Sequence, residues 1–227
     1  MSNFDSDGSA GNEWEERGDL AWNEFDWERY LREQDEAVVR YLRFYESCKG
    51  HPHRIDAVAE KMEWGAADWE EEGNASEVDD APDDDGPFEE DDDVYTLHKN
   101  PIFIATKAIS LGLSRSWQVL AVDAAKVPQA LAIQLLASLQ RSEEQAVQAI
   151  HALDFGDYAM AVSQFKRALS ALNVSLALVN GDEMARHRHT LLWREDSLPQ
   201  LFDLREIWLR VMGECREELD RPVDDES

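Results

Sequence analysis

The stretch Tyr158-Ala-Met-Ala-Val-Ser-Gln-Phe-Lys-Arg-Ala-Leu-Ser-Ala-Leu-Asn-Val-Ser-Leu-Ala-Leu-Val179 decides the fold class. Within it Tyr158, Val162, Phe165, Leu169, Leu172, Leu176 and Val179 recur at alternating steps of four and three, the spacing of one face of an α-helix. Asn180-Gly181 supplies a stop signal. Immediately before it, Asp154-Phe-Gly-Asp157 is a loop so short that the preceding helix must be an antiparallel neighbour. That preceding run presents Leu131, Leu135, Leu139, Ala146, Ile150 and Leu153 on one face. The two runs make a helical hairpin.

Working outward, Asn100-Pro101 opens another helix, with Asn as the cap and Pro at the first helical position. Ile102, Thr106, Ile109, Leu113, Ser116 and Leu120 trace its apolar face, and Val127-Pro128 breaks or kinks it. On the other side, the polar, basic stretch through Arg194 is compatible with helix. Ser197-Leu-Pro-Gln200 then has the form of a capping box. It predicts a fresh start for a last helix carrying Leu201, Leu204, Trp208, Val211, Cys215 and Leu219, which stops at Arg221-Pro222. No segment has the two-residue alternation or β-branched density of a strand. The expected fold is all-α, an antiparallel bundle of about four to six helices.

Gly156, Tyr158, Ala161, Phe165, Ala168 and Leu169 stand at a spacing that resembles the turn and second helix of a tetratricopeptide repeat. The resemblance covers 14 residues. Gln145 and Gln148 occupy positions where the repeat's first helix has large apolar residues, and Asn173 stands where its closing Pro would be. No second copy follows at a period of about 34 residues. The reading is therefore one hairpin within a bundle, using Ala161 and Ala168 for close helix approach.

The formal net charge of -27 is unevenly placed. Residues 1–99 hold 31 acids and 9 bases, whereas residues 100–227 hold 18 and 13. Glu63–Asp93 alone carries 16 acids and no Lys or Arg. Such a balance disfavours direct attraction to nucleic acid or to an anionic membrane, both of which need clustered Lys/Arg. It favours a basic partner. The longest uncharged runs, Val127–Gln140 and Ala168–Gly181, have 14 residues each, short of the roughly 20 that a spanning helix needs. The start, Met1-Ser-Asn-Phe-Asp, is unlike a secretory signal, so the chain reads as cytosolic.

In the acidic half, Trp27, Leu31, Gln34, Val38, Tyr41 and Tyr45, widened by Tyr30 and Leu42, form a helical face that needs something to pack on. The domain reading has five parts. Residues 1–24 are a disordered acidic, aromatic tail; 25–64 an N-terminal helical segment packing on the bundle; 65–94 an acidic disordered linker. Residues 95–221 are the bundle itself, and 222–227 a disordered tail.

No constellation of catalytic chemistry stands out. There is no phosphate-binding glycine pattern and no Glu-x-x-His pair of the kind di-metal bundles use. His51-Pro-His53 and His187-Arg-His189 are His-x-His pairs, and on a helix such residues point about 200° apart. Cys48 and Cys215 read as buried free thiols. No cofactor, metal or enzymatic activity is expected. Trp14, Trp22 and Trp69, in acidic surroundings, are candidates for partner binding, because large aromatics anchor interfaces. Arg186, His187, Arg188, His189 and Arg194 form a candidate basic surface onto which the acidic linker could fold. The expected function is a non-enzymatic interaction or regulatory protein, whose partner is a protein with a basic or grooved surface. Two rival classes are a nucleic-acid mimic that blocks a basic protein, and an enzyme or ligand carrier with its site in the bundle core. Oligomeric state is left open.

Overall fold

A computed structural model of the chain describes residues 23–64 and 100–221. Residues 1–22 and 222–227 of the expected tails and the expected linker 65–94, and with them Trp14, Trp22 and Trp69, lie outside the described residues. Asn23 and Glu24, expected in the tail, are instead the cap and first residue of a helix. Among those described there are seven helices and no strand: α1 Glu24–Ser47, α2 Arg54–Lys61, α3 Pro101–Ala121, α4 Gln129–Asp154, α5 Tyr158–Val179, the short α6 Asp182–Ala185, and α7 Arg188–Asp220. The all-α bundle is as the periodicities predicted.

α3 is the centre. Asn100 caps it, its side-chain oxygen accepting from the Phe103 N–H at 2.9 Å, and Pro101 occupies the first turn. The expected single apolar face is too narrow a description. From Pro101 to Ser110 every residue but Lys107 is buried, because α1, α4 and α7 surround this helix. Acids are absent from α3, so encirclement leaves no carboxylate to neutralise. Its one half-buried lysine, Lys107, pairs with Glu143 of α4 at 2.5 Å. α3 stops at Ala121, six residues before Val127-Pro128, and the Asp123 carboxylate accepts from the Ala125 N–H to form the turn.

Tryptophans fix the neighbours of α3. Trp117 donates to the Ala132 carbonyl of α4 at 3.0 Å, and Trp208 of α7 donates to the Thr106 hydroxyl at 3.1 Å. Trp193 donates to Ser116 at 3.0 Å and lies against Trp117, ring centroids 4.7 Å apart. Trp117 and Trp208 are fully buried. Truncating either to Ala is expected to cost about 3–5 kcal/mol.

α4 and α5 form the hairpin anticipated from the short loop. Gly156 takes the left-handed conformation there, φ +68°, and Asp157 caps α5 through the Met160 N–H at 2.9 Å. The helices approach through small residues. Ser138, Ser142, Ala146 and Ala149 face Ala161, Ala168, Ala171 and Ser175, and the Ser138 and Ser175 hydroxyls meet at 2.8 Å.

The last helix corrects the sequence reading. There is no new start at Ser197: α7 runs unbroken from Arg188 to Asp220, with Pro199 inside it. Ser197 is a buried position in mid-helix and not a cap. Burial of Trp193 before the proline and Leu201 after it holds both halves to the same core, which offsets the missing Pro199 N–H. Gln200 donates from its side-chain amide to the Asp196 carbonyl at 3.1 Å, helping to satisfy the loosened turn.

α1 runs parallel to α3 and antiparallel to α7. Its Leu42 meets Gly112 of α3, while Tyr45 and Lys49 reach Asp203 and Asp196 of α7. Only its second half is embedded, through Ala37, Val38, Tyr41 and Tyr45. Trp27 lies five turns before Tyr45 on the same face, yet it is 52% exposed and Leu31 is 49% exposed. The expected apolar face therefore holds for the second half of the helix only. Burial begins at Ala37: none of residues 24–36 is buried, a stretch of about 20 Å at 1.5 Å per residue.

Candidate functional site

Three regions carry side chains beyond what packing needs. The first is the front half of α1. Asn23 starts it with a reciprocal cap: its side-chain oxygen accepts from the Phe25 N–H at 2.8 Å, and its own N–H donates to Asp26 at 3.1 Å. Glu24 and Asp26 also sit favourably against the positive end of the helix dipole. Residues 24–36 hold six acids and two arginines. Both arginines lean on acids of the same helix, Arg29 on Asp26 and Arg32 on Glu28. Among these carboxylates stand Phe25, 75% exposed, with Trp27 and Leu31. Trp27 meets Tyr30 edge-on at 5.8 Å.

The second region is the joint that locks α1 and α2 to α7. Arg54, the first residue of α2, is buried and forms an ion pair with Asp203 through two guanidinium nitrogens. Its guanidinium lies 4.0 Å from the centre of the Tyr45 ring, and the Tyr45 hydroxyl donates to the same Asp203 oxygen at 2.5 Å. Tyr41 stacks between Tyr45 and Trp64, while its hydroxyl is buried without a hydrogen-bond partner. Burial first, then the Asp203 charge, pushes both phenols above the usual tyrosine range. Both therefore stay neutral, which suits a structural anchor and not a proton-transfer group. On the outer side Arg210 bridges Asp56 and Glu206 at 2.6 and 3.0 Å.

The third region is a groove of about 610 Å³ on the outside of the α4–α5 hairpin. Small residues open it: Ala137, Ser138, Ser170 and Ala171, with Val174 at one end 52% exposed. Arg141 of α4 and Arg167 of α5 line it from opposite sides, and neither is ion-paired among the described residues. α5 contains Lys166 and Arg167 and no acid at all. A larger cleft of about 780 Å³ lies beside Trp64 and Ile104. Its acids Glu33, Asp35 and Glu36 stand against Arg40 and Arg43, so it offers no dominant charge.

The basic stretch singled out in the sequence spans the end of α6 and the first two turns of α7. Arg186 is exposed beyond α6, His187 precedes α7, and Arg188 and His189 are exposed in the first turn of α7. Asp182 and Glu183 precede them in the chain, and Glu195 and Asp196 follow. The Asp123 carboxyl, held below its usual range by the Ala125 N–H and Lys126, also feels His189. Arg194 is half-buried and donates to the Asn180 side chain at 2.8 Å. The groove arginines Arg141 and Arg167 escaped the sequence reading, because they lie on different helices, 26 positions apart in the chain. They meet only when the hairpin closes.

Reactive groups are few. Cys48 and Cys215 are free and buried, and burial followed by the Glu214 charge pushes the Cys215 thiol up to about 11. In the His51-Pro-His53 pair the His51 Nδ1 accepts from the His53 backbone N–H at 3.2 Å. Among the described residues no group of three His, Cys, Asp or Glu could hold a metal ion, and no helix is long and apolar enough to cross a membrane. No protein-family model, curated protein or solved structure matches the chain.

Proposed function

We propose that the chain is a non-enzymatic interaction protein, with the bundle as platform and the front of α1 as binding element. The acidic, tryptophan-bearing sequence before α1, with Trp14 and Trp22, extends that element. The partner is a protein with a basic, grooved surface. One observation carries the reading: half of a capped, acidic amphipathic helix stands clear of the core with Phe25, Trp27 and Leu31 exposed. An amphipathic helix of this kind binds by laying its apolar residues into a groove, and six acids against two arginines choose a basic one.

The test compares the full chain with its Phe25→Ser/Trp27→Ser/Leu31→Ser variant as baits in an extract of the native host, followed by cross-linking mass spectrometry. Exposed substitutions of this type change stability by about 0.5 kcal/mol or less each, so the bundle stays folded. The expected result is a protein cross-linked to residues 24–36 through a lysine-rich surface and absent from the variant. The same set of proteins on both baits refutes the reading.

A further inference from the structure

The molecule carries, on two different elements, a complementary pair of surfaces. The front of α1 presents Leu31 with Glu28 three residues before it and Asp35 four after, so that an apolar side chain and two carboxylates share one face. The α4–α5 groove presents Val174 and Ala137 with Arg141 and Arg167 on either side. Resting on the reading of α1 as a binding element, we infer that the front of α1 of one copy docks in the α4–α5 groove of a second copy.

Charge complementarity favours this occupant. The described residues together hold 25 acids and 20 bases, so a site with two arginines and no acid partner is out of keeping with the rest. Leaving two guanidiniums unpaired at one groove favours carboxylates, and Arg binds them in a two-pronged geometry that Lys cannot match. Glu28 is held only by Arg32 on an exposed face, a contact that costs little to exchange. Docking within one molecule is excluded by the fold. The second half of α1 is embedded on α3 and α7, whereas the groove lies on the α4–α5 hairpin, and the helix is continuous. The pairing therefore runs between molecules, either reciprocally in a two-fold dimer or head to tail in short chains or a ring. A three-turn helix in one groove buries less than the roughly 1,600 Å² of a standard interface, so the association is weak and salt-sensitive.

Sedimentation velocity of the full chain, over about 5–300 µM at low salt, reads this directly. Arg141→Glu/Arg167→Glu and Glu28→Lys/Asp35→Lys change exposed side chains, and circular dichroism checks that each variant is folded. The expected result is a sedimentation coefficient that rises with concentration in the wild type and stays monomeric in each variant alone. Mixing the two variants, whose reversed charges match, restores association. About 0.5 M salt abolishes it in the wild type. A wild-type chain that stays monomeric throughout overturns the inference, as does association that survives Arg141→Glu/Arg167→Glu. So does a monomer whose Arg141 and Arg167 NMR signals shift with salt, which would place the chain's own acidic run 83–93 in the groove. Monomeric behaviour with an extract partner still cross-linked to α1 removes only the self-pairing. Substitutions in α1 that change neither self-association nor extract partners remove the binding element itself.

Discussion

Tyr41 and Tyr45 lie one turn apart on α1, 1% and 0% exposed, and burial alone assigns them equal weight. Their hydroxyls predict opposite outcomes on substitution by Phe. Tyr45→Phe keeps the ring over the Arg54 guanidinium but removes the donor to Asp203. A hydrogen bond to a charged group contributes about 1.5–3 kcal/mol. The Asp203 side chain is 21% exposed and retains Arg54, so water recovers part of the loss, and the lower end, about 1.5 kcal/mol, is expected. Tyr41→Phe deletes a buried hydroxyl that has no partner, and is expected to be neutral or stabilising by up to about 1 kcal/mol. Urea unfolding followed by circular dichroism measures both, with an unchanged slope confirming that only stability moved. At about 2–4 °C per kcal/mol, the two melting temperatures should separate by roughly 3–10 °C. If Tyr41→Phe costs as much as Tyr45→Phe, the hydrogen-bond argument fails and only packing matters at this joint.

Pro199→Ala restores a backbone N–H in the middle of α7 at an exposed position, and is expected to raise stability by about 1–3 kcal/mol in the same urea assay. Gly156→Ala places a side chain at φ +68° with open space around it, so backbone strain alone should cost about 1 kcal/mol. Gly50→Ala, also in open space but without positive φ, should instead be neutral or slightly stabilising, and the two melting temperatures decide. The Cys215 thiol is raised from 9.0 to about 11, so its neutral form is favoured by folding; that contribution is complete below pH 9 and is lost as pH rises through 11. Urea midpoints should therefore start to fall near pH 9 in the wild type, and only near pH 10, where unfolded tyrosines ionise, in Cys215→Ala.

Much of the bundle is written locally in the chain. The Asn100-Pro101 start, the Asp154–Asp157 turn and the face of α5 each depend on residues within a few positions of one another, and each appears as expected. What local pattern cannot carry is what lies opposite. The apolar face of α1 is periodic from Trp27 to Tyr45, but its burial begins only at Ala37, which the pattern alone does not show. The Ser197–Gln200 signature is a genuine local start signal, overridden by the burial of Trp193 and Leu201 on one core. α3 offered a hint in its lack of acids, which in hindsight marks a helix surrounded on several sides. Of the candidate interaction residues, Arg186, His187, Arg188, His189 and Arg194 read as a block because they fall within nine positions of one another. The unpaired arginines, Arg141 and Arg167, are brought together only by tertiary structure.

The Tyr45–Asp203 contact joins residues 158 positions apart in the chain, and this has a consequence for how the protein is made. Chains emerge from the ribosome at about 5–20 residues per second, so α1 waits roughly 8–30 s before the acidic anchor on α7 exists. During that interval Tyr41 and Tyr45 can pack only on α2, Trp64 and α3, and Arg54 has no Asp203 to meet. The α4–α5 hairpin, by contrast, closes as soon as its own sequence is complete, since its loop is among the shortest in the chain. Among the described helices the order of assembly is therefore inverted relative to the order of synthesis: α1 is made well before α7 and is secured only once α7 exists.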